Sequence, residues 1–269
     1  MLEVEWARLK AHELRRLASD GAVAVIPVAA MEQHGPHLPV QVDSRLATEV
    51  SVRAARKAFD RRPVVVLPVI WCGLSEHHMP FGGTITLNHS TLHQVFRCIV
   101  DSLLRHGFSD LLILNGHGGN IVASQAIAQD LSLEYDATVV AATYWLEAAE
   151  ELGELLEDQS NVLHAGEAET SMMMALEPDL VDASDLPANA VAADLGFLQA
   201  GKGSFRWRSL AHATHNGVIG DPSKANAEKG ERLLEAAAQT IAALITDPDT
   251  WVGPGDLRGN GTGDVPFRR

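Results

Sequence analysis

Four short apolar runs, separated by stretches with helical periodicity, are the feature that most restricts the fold of this chain. The runs lie at 22–28, 64–70, 110–115 and 137–143, and all but the third are rich in β-branched residues. Helical patterns lie at about 44–59, 91–106, 120–134, 166–176 and 225–246. Because strands that alternate with helices along a chain usually pair in parallel, the pattern predicts an α/β fold with a mostly parallel sheet.

The length of the chain fits one large α/β domain. Of the 269 residues 46% are hydrophobic, which is enough for a sizeable core, and no repeat or Pro/Gly/Ser-rich linker divides the sequence. We predict a single domain over residues 1–250. Residues 251–269 contain several glycines and little that could pack, and are predicted to form an irregular C-terminal tail.

Charge and composition argue against two classes of partner. The chain has 35 acidic and 21 basic residues, and a net charge of −14 does not suit nucleic acid or anionic lipid. No stretch approaches the ~20 apolar residues of a membrane span, and the amino terminus has no secretory-signal pattern. We expect a cytoplasmic protein. Cys72 and Cys98 lack the spacing of a structural zinc site and are predicted to be buried.

Metal-binding residue types follow the first apolar run directly. Glu32 and His34 are two residues apart, so their side chains point the same way in an extended segment, and Asp43 follows after a proline-containing turn. Loops that leave the carboxyl ends of parallel strands form the ligand-binding edge of open α/β sheets. This segment is therefore predicted to supply half of a metal site.

Two further clusters follow later in the chain. Residues 115–120, Asn-Gly-His-Gly-Gly-Asn, place His117 in a glycine-rich turn, which also resembles a phosphate cradle but matches neither the GxGxxG nor the P-loop pattern. His164, Glu167 and Glu169 precede or begin the helix predicted over 166–176. Residues two apart on a helix point in different directions, so at most one glutamate faces a given site. We interpret Glu167 as a residue that complements the helix dipole.

Together the clusters hold two or three carboxylates and two or three imidazoles. That is more than one closed structural zinc site needs, and it is typical of an open or two-metal hydrolytic centre in which Asp43 could bridge. We interpret His37 as a partner that orients Glu32 or His34. The remaining histidines without a clustered context are interpreted as structural: His77, His89, His93 and His106.

In these motifs the chain resembles the creatininase family of amidohydrolases. The resemblance rests on Glu32 to Pro39 with Asp43, and on residues 75–84, 115–120, 164–171 and 216–222, and it extends over about residues 20–245. It implies a three-layer α/β/α sandwich with a mostly parallel sheet, usually assembled as a homohexamer.

The resemblance also implies the composition of the site. Its metal ligands would be Glu32, His34, Asp43 and His117, with Asp43 bridging two divalent ions per subunit of the zinc, manganese or iron kind. Glu169 matches a glutamate beside the metals, and His164 matches a histidine near the substrate. Both are predicted catalytic residues, and Glu169 is also a predicted ligand.

Predicted substrate contacts come from two loops. Ser75 and His78 lie in the loop after the second apolar run, where a loop-stabilising role is the alternative. Gly118 and Gly119 follow the metal-binding histidine. We predict that all four contact a small-molecule substrate.

Two departures from creatininase itself bear on the substrate. Creatininase has Tyr-Glu where this chain has Gly118-Gly119, so that ligand glutamate is absent, and Glu169 could complete the second metal's shell in its place. A tryptophan and an aspartate of creatininase are replaced by Ser160 and Asn161. Creatinine is therefore not the expected substrate.

The predicted activity is hydrolysis of a non-peptide C–N bond, in a cyclic amide, a formamide or a similar small amide, by a metal-activated water. Two catalytic alternatives stay open. One is a peptide-processing hydrolase of the same family, and the other is a two-metal enzyme that acts on a polyol or keto-sugar by C–C hydrolysis or isomerisation. The polar and aromatic segment 206–216 suits an oxygen-rich substrate, and equally an oligomer interface or lid. A non-catalytic metal-binding protein is a third alternative.

Overall fold

The computed structural model describes residues 2–157, 159–184, 186, 199–201, 203–253 and 257–258. Its centre is a sheet of four strands: β1 (Val23–Val28), β2 (Val64–Val66), β3 (Asp110–Asn115) and β4 (Thr138–Thr143). The strand order is β2-β1-β3-β4, and every pairing in this sheet is parallel. The predicted α/β fold with a parallel sheet is confirmed.

Helices cover both faces of the sheet. Their bounds are α1 (Ala11–Ser19), α2 (Val42–Ala58), α3 (His89–Arg105), α4 (Ile121–Tyr135), α5 (Tyr144–Glu147), α6 (Ala149–Gly153), α7 (Glu167–Leu176) and α8 (Ala227–Thr246). Neighbouring strand residues point to opposite faces, so Val25 lies in the core formed with α2, α7 and α8, whereas Ile26 lies in the core formed with α3 and α4. The result is three layers, α/β/α.

Two elements differ from the sequence-based expectation. The run predicted as a strand over 64–70 is regular only to Val66, since Pro68 has no N–H to donate, and pairing resumes in one parallel bridge between Val28 and Ile70. Helix α1 was not predicted, because it is mainly polar and none of its residues is fully buried. Cys72 is buried as predicted, but Cys98 is exposed, because it lies on the solvent side of α3.

Helices α7 and α8 approach each other closely. A Cβ atom added at Gly230 of α8 would lie 1.9 Å from the carbonyl oxygen of Ser171 on α7, so a larger residue cannot occupy that position without a shift. Asn226 caps α8 by accepting from the Lys229 N–H at 2.9 Å, and its own N–H donates to Ser171 Oγ at 3.2 Å. Helix α8 therefore fixes the position of α7, which carries Glu169.

The chain is held by Trp251 shortly after the end of α8. Trp251 is buried, its indole N–H donates to Ile245 O at 2.9 Å, and the Arg62 guanidinium lies 4.8 Å from its ring. Most of the predicted tail, residues 254–256 and 259–269, lies outside the described residues. So does 187–198, which precedes a short hairpin of β5 (Gln199–Gly201) and β6 (Ser204–Phe205). Within the described part of the chain, no helix combines the length and hydropathy needed to span a membrane.

Candidate metal centre

The candidate centre lies at the carboxyl edge of the sheet, where β1 and β3 end side by side. Val28 and Asn115 are register partners, and the next N–H, of Gly116, donates to Val28 O at 2.8 Å. A Cβ atom at Gly116 would lie 2.6 Å from the Ala47 side chain. Because Gly116 is small, α2 packs against the start of the loop after β3. This packing brings Asp43, in the first turn of α2, beside His117.

Asp43 faces a histidine with each of its carboxylate oxygens. Oδ1 lies 3.1 Å from Nε2 of His34, and Oδ2 lies 2.9 Å from Nδ1 of His117. The two imidazoles come from the loops after β1 and β3, so this one carboxylate connects the two loops. A carboxylate placed in this way can bridge two cations.

The donor atoms form two principal groups. His34, Asp43 and Glu169 make up one group, and Glu32, His77 and His117 make up the other; the ligand atoms within each group lie within 4.8 Å of one another. Glu32, His34 and His164 form an overlapping third group. Two donors bound tetrahedrally at about 2.1 Å to one ion would lie about 3.4 Å apart. The closest contacts between the donors, from 2.9 to 3.6 Å, match that spacing.

The hydrogen bonds of the two central histidines fit metal binding. His34 donates from Nδ1 to Glu32 O at 3.1 Å, and His117 donates from Nε2 to Leu74 O at 3.1 Å. In each ring the other nitrogen faces the carboxylates. Metal-bound histidines are usually oriented in this way, by donation of the second ring N–H to a carbonyl or carboxylate. Glu32 Oε2 is buried and has no hydrogen-bond partner among the described residues, so one further donor is available to a cation.

The electrostatics of the site favour positive charge among the carboxylates. Burial alone would lower the pKa of His34, but the Asp43 and Glu169 carboxylates raise it to about 9. Burial is likewise outweighed at His117, where Glu32 and Asp43 raise the pKa well above its usual value. The site thus holds protons on the nitrogens that face the carboxylates. A divalent cation would replace these protons.

Glu169 and Glu167 point in different directions, as their spacing on α7 requires. Glu169 Oε2 accepts from the Ala165 N–H at 2.6 Å and lies 3.5 Å from His34 Nε2. Burial raises the pKa of Glu169 to about 7. Glu167 instead accepts the Glu157 N–H at 3.1 Å and forms an ion pair with Lys229. Glu167 therefore joins α7 to the loop of Glu157 and to α8, in addition to the predicted role of complementing the helix dipole.

The side-chain amide of Gln33 links three surrounding groups. The two N–H groups at its Nε2 are shared among three acceptors, Nδ1 of His78 at 2.8 Å, Nε2 of His164 at 3.2 Å and Gly217 O at 3.2 Å. His78 is thereby left with an N–H at Nε2, which lies 3.2 Å from Glu32 Oε1. Burial and the neighbouring histidines, His34 foremost at His164 and His164 at His78, hold the pKa of both rings well below the usual value. Both rings are neutral near pH 7.

Of the four predicted substrate contacts, Gly118 borders open space and the other three are enclosed by neighbouring residues. Gly118 is exposed, with nothing within 4 Å of an added Cβ atom, and so borders open space beside His117. Ser75 and His78 are buried, at 0% and 2% exposure, and their side chains contact His117 and Glu32. Gly119 is enclosed by the Leu74 backbone and by the rings of His77 and His117. Gly118 is therefore the member of this set with open space around it.

The sequence alone does not indicate the contacts that His77 and His37 make in the structure. His77 stacks on His117 with ring centroids 5.6 Å apart, and the signal that could have found it was its position between Ser75 and His78. The sequence predicts that His37 orients Glu32 or His34. In the structure, His37 Nε2 lies 2.9 Å from Thr170 Oγ1, and this hydrogen bond stabilises α7, the helix that carries Glu169. Tyr144 was also missed: it is buried, and burial together with Glu169 and Asp43 raises its pKa.

Fold and donor set together define a class of protein, the α/β enzymes with a metal-ligand cluster at the carboxyl edge of a parallel sheet. The family model described as "Creatininase: Creatinine amidohydrolase" matches residues 7–245. This chain belongs to the creatininase family and is a hydrolase of that family.

Curated relatives with different activities match most of the chain. The mycofactocin precursor peptide peptidase of Mycobacterium ulcerans (strain Agy99) is 32% identical over 250 residues, which are 87% of this chain and 90% of that protein. The creatinine amidohydrolase of Pseudomonas putida is 30% identical over 268 residues, 91% of this chain and 95% of that protein. The 3-dehydro-scyllo-inosose hydrolase of Thermotoga maritima is 25% identical over 259 residues, which are 87% of this chain and 80% of that protein.

Solved creatininase structures have the same fold. The manganese form superposes with a TM-score of 0.76 at 29% identity and covers 91% of this chain and 98% of its own. A creatininase variant of the Zn–Zn type superposes with a TM-score of 0.74 at 28% identity, with the same coverage. These creatininase structures share the fold of this chain, whereas the three curated relatives differ from one another in activity.

Proposed function

We propose that this protein is a metal-dependent amidohydrolase that cleaves a non-peptide C–N bond in a small amide. The observation that carries the proposal is the Asp43 carboxylate, whose two oxygens face His34 and His117 on opposite sides. Glu32, His34, Asp43, His117 and Glu169 would hold two divalent ions of the zinc, manganese or iron kind. Solved relatives with manganese and with two zinc ions support the same assignment.

The chain's own residues supply positioning and proton transfer. When bound, the two cations provide an activated water and polarise the carbonyl oxygen of the scissile amide. His164 is neutral near pH 7 and lies at the edge of the donor cluster, with its side chain 13% exposed. It can therefore accept a proton and deliver it to the leaving nitrogen, a step worth roughly 10²–10⁴ in rate. The lone pair at His164 Nε2 faces the Gln33 amide at 3.2 Å, and it would accept the proton when that amide donates only to His78 and Gly217 O.

A small substrate suits the enclosure of the site. The donors Glu32, His34 and His117 are at most 3% exposed, so a reacting group must enter past the more accessible His164, Glu169 and Gly118. A formamide or lactam carbonyl is compact enough to do so. We do not expect creatinine to be turned over, because Gly119, Ser160 and Asn161 depart from the creatininase pattern.

Two other substrate classes have support from relatives. A peptide substrate is favoured by the 32% identity to a mycofactocin precursor peptide peptidase. A keto-inositol is favoured by the match to 3-dehydro-scyllo-inosose hydrolase and by the polar segment 206–216, which packs on the site through the 3.3 Å bond from Ser209 Oγ to His77 O. The same metals could serve either reaction.

We further propose that the protein assembles as a homohexamer, as the family resemblance implies. Several apolar side chains are exposed on or near the loops at the carboxyl edge of the sheet, Trp71 at 48%, Met79 at 43% and Ile85 at 52%. Burial of this surface in an assembly would remove it from water. Light scattering of the purified protein measures the assembly directly.

A substrate panel before and after metal removal tests the proposed activity. The protein is assayed against formamides, lactams, a precursor-type peptide and keto-inositols, then treated with a chelator and reloaded with zinc or manganese. The proposal expects turnover of a formamide or lactam that is lost with the metal and restored by it. Turnover that survives complete metal removal would overturn it, and turnover of only the peptide or only the keto-inositol would replace the substrate class.

A further inference from the structure

We propose that His77 is a metal ligand, which completes with Glu32 and His117 one of the two divalent-cation positions. The inference rests on the proposed two-metal function and assigns a ligand that neither the sequence motifs nor the family resemblance indicates. His77 had been interpreted as a structural histidine.

The geometry places His77 in a complete donor set. Ligand atoms of Glu32, His77 and His117 lie within 4.8 Å of one another. The rings of His77 and His117 are stacked, with planes 17° apart and centroids separated by 5.6 Å. Two imidazoles and one carboxylate form a three-residue ligand set that is known from catalytic zinc sites, and the Asp43 oxygen that faces His117 would add the bridging donor. The other position has its own set, His34, Asp43 and Glu169.

The hydrogen bonds distinguish His77 from its neighbour in sequence. Both ring nitrogens of His78 are engaged, Nδ1 by Gln33 at 2.8 Å and Nε2 by Glu32 at 3.2 Å. The ring nitrogens of His77 have no hydrogen-bond partner among the described residues, although the residue is half-buried and its ring contacts that of His78, with centroids 4.2 Å apart and planes tilted by 57°. A half-buried imidazole with free nitrogens next to a carboxylate is available to a cation.

The backbone holds His77 in place. The residue lies in a 3₁₀-helix over Glu76–Phe81, which follows Ser75, and the Ser75 N–H donates to Thr86 Oγ1 at 2.9 Å. The carbonyl oxygen of His77 accepts from Ser209 Oγ at 3.3 Å. The backbone that carries the ring is therefore held on both sides of the residue.

Gly119 has no side chain that could bind a cation, so a ligand near it would have to come from another loop, such as that of His77. Creatininase has a glutamate at this position in the motif, but a Cβ atom here would lie 2.2 Å from Leu74 O, 2.5 Å from His117 Nε2 and 2.9 Å from His77 Cε1. A side chain at 119 would therefore require the Leu74 backbone and the His117 ring to shift. The imidazole of His77 thus borders the position from which such a side chain would extend. Glu169 does not take this place, because its carboxylate belongs to the group around His34.

Zinc stoichiometry tests the assignment without reference to turnover. Chelator-stripped full-length protein is titrated with zinc by calorimetry, and bound zinc is counted by elemental analysis after gel filtration. Wild type should bind two ions per chain. His77→Ala should keep one ion and lose at least about 100-fold in affinity for the other. That loss would exceed the one typical of a residue that only hydrogen-bonds to a ligand. His77→Glu, which restores a ligand, should bind two ions again.

The controls separate three outcomes. His93→Gln changes a histidine of α3 that pairs with Asp130, away from the site, and should bind two ions. The single ion retained by His77→Ala also shows that the variant is folded. Two tight ions in His77→Ala would overturn the role of His77 and leave the two-metal function intact. Fewer than two ions in wild type would overturn the two-metal function itself, and with it this inference.

Discussion

The carboxylate of Glu167 and the ammonium group of Lys229 form a buried ion pair that joins α7 to α8. Glu167 is 0% exposed and Lys229 7%, so removal of the cation would leave a buried charge without its partner. We expect Lys229→Met to lower the free energy of unfolding by about 3–5 kcal/mol. Denaturant titration followed by circular dichroism measures this value.

A second variant serves as the control for this ion pair. Lys57→Met removes the pair with Glu235, whose side chains are 27% and 54% exposed, and should cost at most about 1 kcal/mol. The double variant Lys229→Met with Glu167→Leu should recover part of the loss, because no charge then remains buried. Equal losses for the Lys57 and Lys229 variants would show that the buried pair has no special role.

Asp43→Asn should weaken both metal positions together. The substitution replaces a carboxylate that faces His34 and His117 by a neutral amide, so neither set keeps its shared oxygen ligand. We expect less than one tightly bound zinc per chain and no measurable hydrolysis. Elemental analysis after gel filtration gives the metal content. Asp101→Asn, on the partly exposed surface of α3, should keep both ions. Retention of both ions by Asp43→Asn would contradict the bridging role.

The two glycines after His117 should respond differently to the same change. Gly119→Ala places a methyl group 2.2 Å from Leu74 O, which must move, so we expect a loss of about 1–3 kcal/mol in the free energy of unfolding. Gly118→Ala meets nothing within 4 Å and should change stability by about 0.5 kcal/mol or less. Thermal unfolding of both variants tests the contrast, and an equally tolerated alanine at 119 would contradict the close packing.

The metal-free protein should lose stability as the pH rises from 7 to 9. The carboxylates raise the pKa of His34 to about 9 and that of His117 well above its usual value, so the folded state binds more protons in this interval than the unfolded chain. Stability then falls as pH rises through the folded pKa. The midpoint of thermal unfolding of chelator-treated protein at pH 7, 8 and 9 provides the measurement.

His34→Gln removes one of these two contributions. Its midpoint should therefore depend less steeply on pH than that of wild type, and His117 should account for the slope that remains. Zinc-loaded protein should show a weaker dependence in the same range, because the metal replaces the protons. A midpoint that stays constant or rises between pH 7 and 9 in metal-free wild type would contradict the assignment.

Much of the fold could be predicted because the sheet is buried on both faces and its strands are continuous apolar runs. The four strands and the helices over 42–58, 89–105, 121–135, 167–176 and 227–246 follow from periodicity within a few residues. Helix α1 could not be found in this way, since its few apolar residues contact only the edge of a core. Strand β2 ends at Val66 because Pro68 has no N–H to donate, and the apolar pattern over 64–70 does not indicate this end.

The candidate site was predictable where ligands follow strands directly. Glu32, His34, Asp43 and His117 lie together because parallel strands end at one edge. The contributions of His77 and Gln33 depend on how the loop over 71–87 folds back across the loop after β3, for example through the bond from Leu74 N to Asn120 Oδ1 at 2.9 Å. Such contacts between loops leave no periodic pattern in the sequence.

The close approach of α8 to α7 has a consequence for the order of events during synthesis. Glu32, His34, Asp43 and His117 lie in the first half of the chain and can meet as soon as β3 has paired with β1. Glu169 cannot be held in place until Gly230 has packed against Ser171, and α8 is the last of the described long helices to leave the ribosome. A chain still being translated can therefore offer a cation only part of its ligand shell, and the complete centre is a property of the finished protein.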